Sequence, residues 1–263
     1  MSSETTVRVS SVDGLRGLLA CFVLFAHVVN GAGDGRYIGL ANLCVIVFFI
    51  ISGYVLTRGW RGNYPGFLVR RFLRLWPLFA LCLAFGGWMS MNPPRLSLYL
   101  WYPLMGVNAQ PPQDPPTWSL FVEAWAMLFM PLIIWIARRP RLMLPTLAAL
   151  ALAQVWSKDL YYGAFFIIGS HLADRTLSST FLDRSPVQWL GRISYSLYLS
   201  HEIIIGLLKF HLPTVGIYLA IPVSLVIAHV LCLMVEQPSI VLSRRAGRWV
   251  ERALGAGPSL AAA

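Results

Sequence analysis

The chain alternates between long apolar runs and short joints rich in proline or arginine. Apolar segments fall at about 15–31, 39–57, 72–91, 118–137, 142–157, 160–173, 191–210 and 214–235. A helical run of about twenty residues, rising about 1.5 Å per residue, matches the thickness of a bilayer core. The pattern predicts an all-α polytopic transmembrane bundle of about eight spans. The short alternating segments of a β-barrel do not occur in it. The fifth and sixth segments are short, as tilted or half-spanning helices would be. A single membrane domain is expected, with its motifs between residues 12 and 238 and a basic amphipathic tail at 239–263.

The joints carry their own expectations. Pro93, Pro94, Pro111, Pro112, Pro115 and Pro116 flank an apolar, aromatic stretch, LSLYLWYPLMG. Proline excludes a regular helix at both ends, so the stretch is expected to lie in the outer interface or to re-enter the membrane. Residues 58–65 form a short glycine-containing cytoplasmic loop. Thr117 is placed to cap the helix that opens at Trp118. Pro238 is expected to end the eighth helix. The tail beyond it, with Arg244, Arg245 and Arg248, would then lie on the inner membrane surface.

Composition agrees with this picture. Hydrophobic residues make up 57% of the 263 positions and charged residues 12%, half the share of about 25% found in soluble proteins. The net charge is +10, which in a soluble chain would suggest nucleic acid. Here the basic residues gather in the joints. With the N-terminus inside, seventeen fall on the cytoplasmic side, and four (Arg36, Arg95, Lys158 and Lys209) fall outside. That asymmetry supports eight spans with both termini cytoplasmic. No nucleic-acid partner is expected; binding of a polyanionic cofactor is compatible with the same arginines. Cys21, Cys44, Cys82 and Cys232 sit inside apolar runs with no metal-ligand spacing. They read as small buried hydrophobes, and no metal is expected. The first run lacks a clearly cationic start and carries a histidine in its middle, so it reads as a retained span rather than a cleaved signal.

The chemistry lies in polar residues placed where lipid would disfavour them. Arg16 and His27 are eleven positions apart, which places them on one helix face about 16 Å apart along the axis. The arginine would stand near one membrane surface and the imidazole near mid-span. The structural alternative is a snorkelling arginine and a histidine bonded to a neighbouring helix. In RRFLRLWP, Arg70, Arg71 and Arg74 share a face at the cytoplasmic end of the third span. They are either topology anchors or guanidinium forks for phosphate. Ser52 and Gly53 in FFIISG permit close helix approach. Glu123 in WSLFVE lies less than two turns into the fourth span and needs a partner there. Ser194, Tyr198 and His201 form one polar stripe in SYSLYLSH. Glu236 in VEQP stands at the cytoplasmic end of the last span. His171, His211 and His229 show no partner spacing.

Together and in this order, these motifs resemble integral-membrane acyltransferase family 3, the carbohydrate O-acyltransferases. The resemblance rests on Arg16 with His27, FFIISG, the Arg71–Arg74 pair, WSLFVE, SYSLYLSH and VEQP, and runs from Val12 to Pro238. It implies a multi-pass protein of a bacterial inner (plasma) membrane, surrounded by lipid. Its activity would be transfer of an acyl group, usually acetyl, from acyl-CoA to a hydroxyl of an envelope glycan, glycolipid or related acceptor. Family members typically carry ten spans; eight are counted here. The resemblance ties activity to Arg16, His27, Arg71 and Arg74. Phosphates would bind at Arg16, Arg71 and Arg74, with Arg70 beside them, and the pantetheine arm would reach His27. That histidine would act as general base or be acylated itself. Glu123 would orient His27 or the acceptor, while Ser52, Tyr198 and His201 would line the same cavity and contact substrate. The competing readings are a transporter or flippase without acyl chemistry, and a shortened inactive relative.

Overall fold

The structure, a computed structural model, describes residues 10–31, 33, 35–89 and 117–254. The prolines and the aromatic stretch between residues 92 and 116, together with Arg8, Arg95 and the last nine residues, lie outside the described residues. Among the described residues there is no strand. The helices are α1 (Ser10–Gly31), α2 (Ile38–Arg58), α3 (Tyr64–Met89), α4 (Trp118–Leu128), α5 (Met130–Ala137), α6 (Pro140–Ala153), α7 (Lys158–His171), α8 (Ser185–His211), α9 (Gly216–Leu231) and α10 (Gln237–Ala253). Each apolar segment of the sequence is helical over most of its described residues. Among the described residues, three helices, at 10–31, 35–58 and 216–253, are long and apolar enough to cross a membrane, or four if α4 and α5 make one broken span. Large apolar side chains such as Phe72, Trp88, Trp135, Leu144 and Trp156 are exposed on the outer surface. That is the surface a membrane protein presents to lipid, where only helices or closed barrels satisfy their backbone.

Small residues set the central packing. α1 and α8 run parallel: a side chain at Gly17 would strike the backbone of Leu190 and Gly191, and Lys209 Nζ donates to the Gly31 carbonyl at 2.9 Å. α2 and α7 also run parallel, with Phe49 against Tyr162 and Thr57 Oγ1 donating to Ser170 Oγ at 2.8 Å; Gly53 and Gly169 let the two backbones touch where they cross. α1 and α2 are antiparallel, with Val12 packed near Tyr54 and Ala26 near Ala41. The start of α1 and the ends of α2 and α7 therefore meet at one arginine-rich end. There Arg58 Nη1 donates to the Ala173 carbonyl and Tyr54 Oη to that of Arg175. The joint after α2 turns at Gly62, whose φ of 77° suits glycine alone among common residues.

The structure corrects three local expectations. The fourth apolar segment is not one straight helix: α4 and α5 bend by 73° at Phe129. Pro131, in the first turn of α5, has no N–H to continue the ladder from α4. Thr117 does not cap α4. Its backbone is already helical (φ −66°, ψ −19°), whereas a capping residue needs extended angles for its hydroxyl to reach forward. Pro238 does not end the last helix. A π-helical turn at Cys232–Glu236 shifts the register, and the Gln237 N–H bonds to the Cys232 carbonyl. Pro238 then falls in the first turn of α10, where a missing donor is tolerated. The helix that opens at Gly216 thus runs 38 residues, to Ala253. Its basic portion packs on α3 through Ser239, Ser243 and Gly247.

Candidate active site

Arg16 stands about two turns into α1, at the arginine-rich end of the bundle. His27 lies about 6 Å from the opposite end of the helix. Within α1, His27 is therefore nearer the end than the middle, because the helix stops four residues later at Gly31. The two residues keep their shared face and bracket a polar passage between the helices.

Two small adjoining chambers make up the passage. The first is lined by Arg16, Ser52, Ser119, Glu123, Tyr195 and Tyr198 among apolar neighbours. The second is lined by Arg16, Ser52, Arg71, Arg74, Glu123 and Tyr195. Arg16, Ser52, Glu123 and Tyr195 line both, so the two chambers adjoin, with Arg71 and Arg74 on one side and Tyr198 on the other. Arg16, Arg71, Arg74 and Glu123 lie within electrostatic reach of one another, and Glu236 acts on Arg16 and Arg74. At the far end, Tyr198 shares a hydrogen bond of 3.0 Å with Ser119 and stacks at a tilt on Phe48.

His27 lies just beyond Tyr198. Its ring meets that of His201 edge to face, with centroids 5.1 Å apart, and the His201 ring centroid is 5.9 Å from that of Tyr198. Nδ1 of His27 pairs with the carboxylate of Glu202. A carboxylate accepts and does not donate, so in the neutral ring the proton sits on Nδ1 and the lone pair on Nε2. His201 is 1% exposed. Its Nδ1 faces the carbonyls of Tyr198 and Leu197 at 2.7 and 3.2 Å, and its Nε2 is buried without a partner.

The structure thus brings together most of the residues expected from the sequence. Arg16, Ser52, Arg71, Arg74, Glu123 and Tyr198 line one passage; His27 and His201 stand together at its end, lining neither chamber. Glu123 does not partner His27. It faces the guanidiniums, and Glu202 takes the histidine. Arg70 points away from the passage toward α10, where Nη1 pairs with Glu251. The helical repeat separates it from Arg71 by about 100°, enough to send two adjacent arginines to different neighbours. The sequence reading missed Tyr195, whose hydroxyl donates to the Leu75 carbonyl at 2.7 Å, and Glu202. Glu202 did carry a signal: it is an ionisable residue inside an apolar helix, one turn beyond Tyr198. Glu236 is buried and accepts from Ser196 Oγ at 2.7 Å. His171 and His229 have structural partners, the Ala137 carbonyl and the Trp189 indole. All four cysteines are free thiols.

A family model described as "Acyltransferase domain" matches residues 9–158. Among curated proteins, the chain is 35% identical to Protein 2 in picA locus of Rhizobium radiobacter over 91 residues, covering 32% of this chain and 47% of that protein. It is 26% identical to Acyltransferase MdmB of Streptomyces mycarofaciens over 164 residues, covering 51% of this chain and 41% of that protein. The matches thus span less than half the length of either relative. No solved structure is a significant match.

Proposed function

Because the chain belongs to integral-membrane acyltransferase family 3, whose model covers more than half of it, we propose that it is a membrane-bound O-acyltransferase. It moves an acyl group, most often acetyl, from acyl-CoA to a hydroxyl of an envelope glycan, glycolipid or related acceptor. The observation that carries this reading is the pair of adjoining polar chambers, with guanidiniums at one end and Tyr198 at the other, and a carboxylate-held imidazole beyond them. In this reading the diphosphate and ribose phosphate of the donor lie against Arg71, Arg74 and Arg16, whose planar forks suit phosphate oxygens. The pantetheine arm threads past Ser52 and Tyr195 toward Tyr198, a path of the same order as the roughly 16 Å between Arg16 and His27. The acceptor enters at the His27 end.

The transfer balances without a further reagent. Nε2 of His27 takes the proton of the acceptor hydroxyl as its oxygen bonds to the thioester carbonyl carbon. The C–S bond then breaks, and the coenzyme A thiolate recovers the proton from the imidazolium. A general base of this kind contributes about 10²–10⁴-fold. Glu202 holds the tautomer that leaves Nε2 free and stabilises the imidazolium as it forms. Glu123 partly neutralises the arginines while the donor is away. In this reading the arginine-rich end faces the cytoplasm of a bacterial inner membrane, where acyl-CoA is made.

The test uses the purified full chain in lipid nanodiscs with acetyl-CoA labelled in the acetyl group and an extract of envelope glycans and glycolipids. The expected result is label appearing in an ester of one extracted hydroxyl compound, with one coenzyme A released per ester. Movement of solute across vesicles without coenzyme A release would overturn the reading in favour of a transporter.

A further inference from the structure

His27, His201 and Glu202 each offer one ligand atom, and these atoms all lie within 4.8 Å of one another. We propose that this cluster, on α1 and α8, is a binding site for a borderline divalent transition ion of the Zn²⁺ type, and that occupancy of the site excludes acyl transfer. Only the second half of this statement rests on the proposed role of His27; the binding itself does not.

His201 is built as a ligand. Carbonyls only accept, so the two backbone oxygens at its Nδ1 place the proton there and leave the lone pair on Nε2. Backbone anchoring of one ring nitrogen is the usual support of a metal-binding histidine. The other nitrogen is buried and unpartnered. In an ordinary core an imidazole acceptor finds a donor, and nothing else among the described residues uses this one. Glu202 follows His201 directly, and its carboxylate already lies on His27 Nδ1. Two imidazoles and a carboxylate with an open fourth position suit Zn²⁺, whereas Mg²⁺ and Ca²⁺ demand all-oxygen sites. Bonds of about 2.0–2.1 Å in a tetrahedron need ligand atoms about 3.4 Å apart. Rotamer adjustments of about an ångström therefore close the site. His27 and Glu202 are about a quarter exposed, which leaves a route for entry.

The exclusion follows from the ring chemistry of His27. If Nε2 ligates the ion, its lone pair is consumed. If Nδ1 ligates, the ring proton moves to Nε2. In either case no base remains for the acceptor hydroxyl, and no proton needs to leave the ring.

The experiment uses the full chain in nanodiscs, stripped with a chelator, with Co²⁺ as the spectroscopic probe and Zn²⁺ as competitor. One Co²⁺ per chain is expected, with the visible absorption of tetrahedral coordination and displacement by Zn²⁺. His201→Gln is expected to weaken binding by about 100-fold or more, the upper end of the loss seen even for supporting residues. Glu202→Gln is the second variant should the buried substitution fail to give a monodisperse protein. Zn²⁺ is expected to stop acetyl-CoA turnover and chelation to restore it. A failure to bind one ion per chain, or binding unaffected by these substitutions, would overturn the site while turnover stands. Binding at the site with undiminished turnover would overturn the exclusion, and with it the assignment of His27 as base.

Discussion

Replacing Glu202 by alanine is the sharpest perturbation the site allows. It leaves the arginines untouched, because the carboxylate contacts His27, about 16 Å along α1 from Arg16. Without it, Nδ1 of His27 has no fixed acceptor, so the ring samples both tautomers and turns more freely. The imidazolium formed during transfer also loses its counter-charge. General-base catalysis is worth about 10²–10⁴-fold, and losing its orientation forfeits much of that. A fall of about 10²-fold in kcat is expected, or about 2.7 kcal/mol of barrier. KM for acetyl-CoA should stay within about threefold, about 0.6 kcal/mol, since the donor grip is remote. The assay is steady-state release of coenzyme A in nanodiscs, with thermal unfolding of both proteins measured alongside. Unchanged kcat in a stably folded Glu202→Ala protein would refute the argument. So would a change confined to KM.

Three further outcomes test other parts of the passage. Arg71→Ala with Arg74→Ala removes two charge-assisted contacts of about 1.5–3 kcal/mol each; donor KM should rise by about 100-fold or more, and unchanged affinity in equilibrium binding of coenzyme A would reduce both arginines to topology anchors. Glu123→Gln leaves the guanidiniums of Arg71 and Arg74 less compensated, so stability should drop by about 2 kcal/mol; coenzyme A should recover part of it in a thermal-shift assay, and no loss would refute the electrostatic role. Gly17→Val drives a side chain into the Leu190–Gly191 backbone, which should cost about 1–3 kcal/mol; it should also lower kcat by parting His27 from Glu202, and a variant with full activity and stability would contradict the parallel α1–α8 contact.

The sequence showed more of the elements than of their partners. Apolar length encodes helices directly, so α1, α2 and α8 fall close to their expected bounds. The 3.6-residue repeat equally encodes which residues of one helix share a face, and Arg16 with His27 was legible for that reason. What one helix places against another is not encoded by spacing. Glu202 reaches His27 from 175 positions away, and Arg70 finds Glu251 across 181. Glu123 is expected from the sequence to orient His27 or the acceptor, as an ionisable residue in an apolar span, yet it lines a chamber with Arg16, Arg71 and Arg74. Proline misled in both directions. Pro131 breaks a run that looked continuous, and Pro238 is absorbed because the π turn before it resets the register. Both outcomes depend on the hydrogen-bond ladder around the ring and not on the proline itself.

The central claim is that His27 does the chemistry at the end of a donor passage. The direct measurement is single-turnover transfer of labelled acetyl from saturating acetyl-CoA, comparing the wild-type chain with His27→Ala at matched coenzyme A occupancy. The account predicts equal donor binding and a transfer rate lower by about 10²-fold or more in the variant. Transfer at the wild-type rate by a properly folded His27→Ala protein would contradict it.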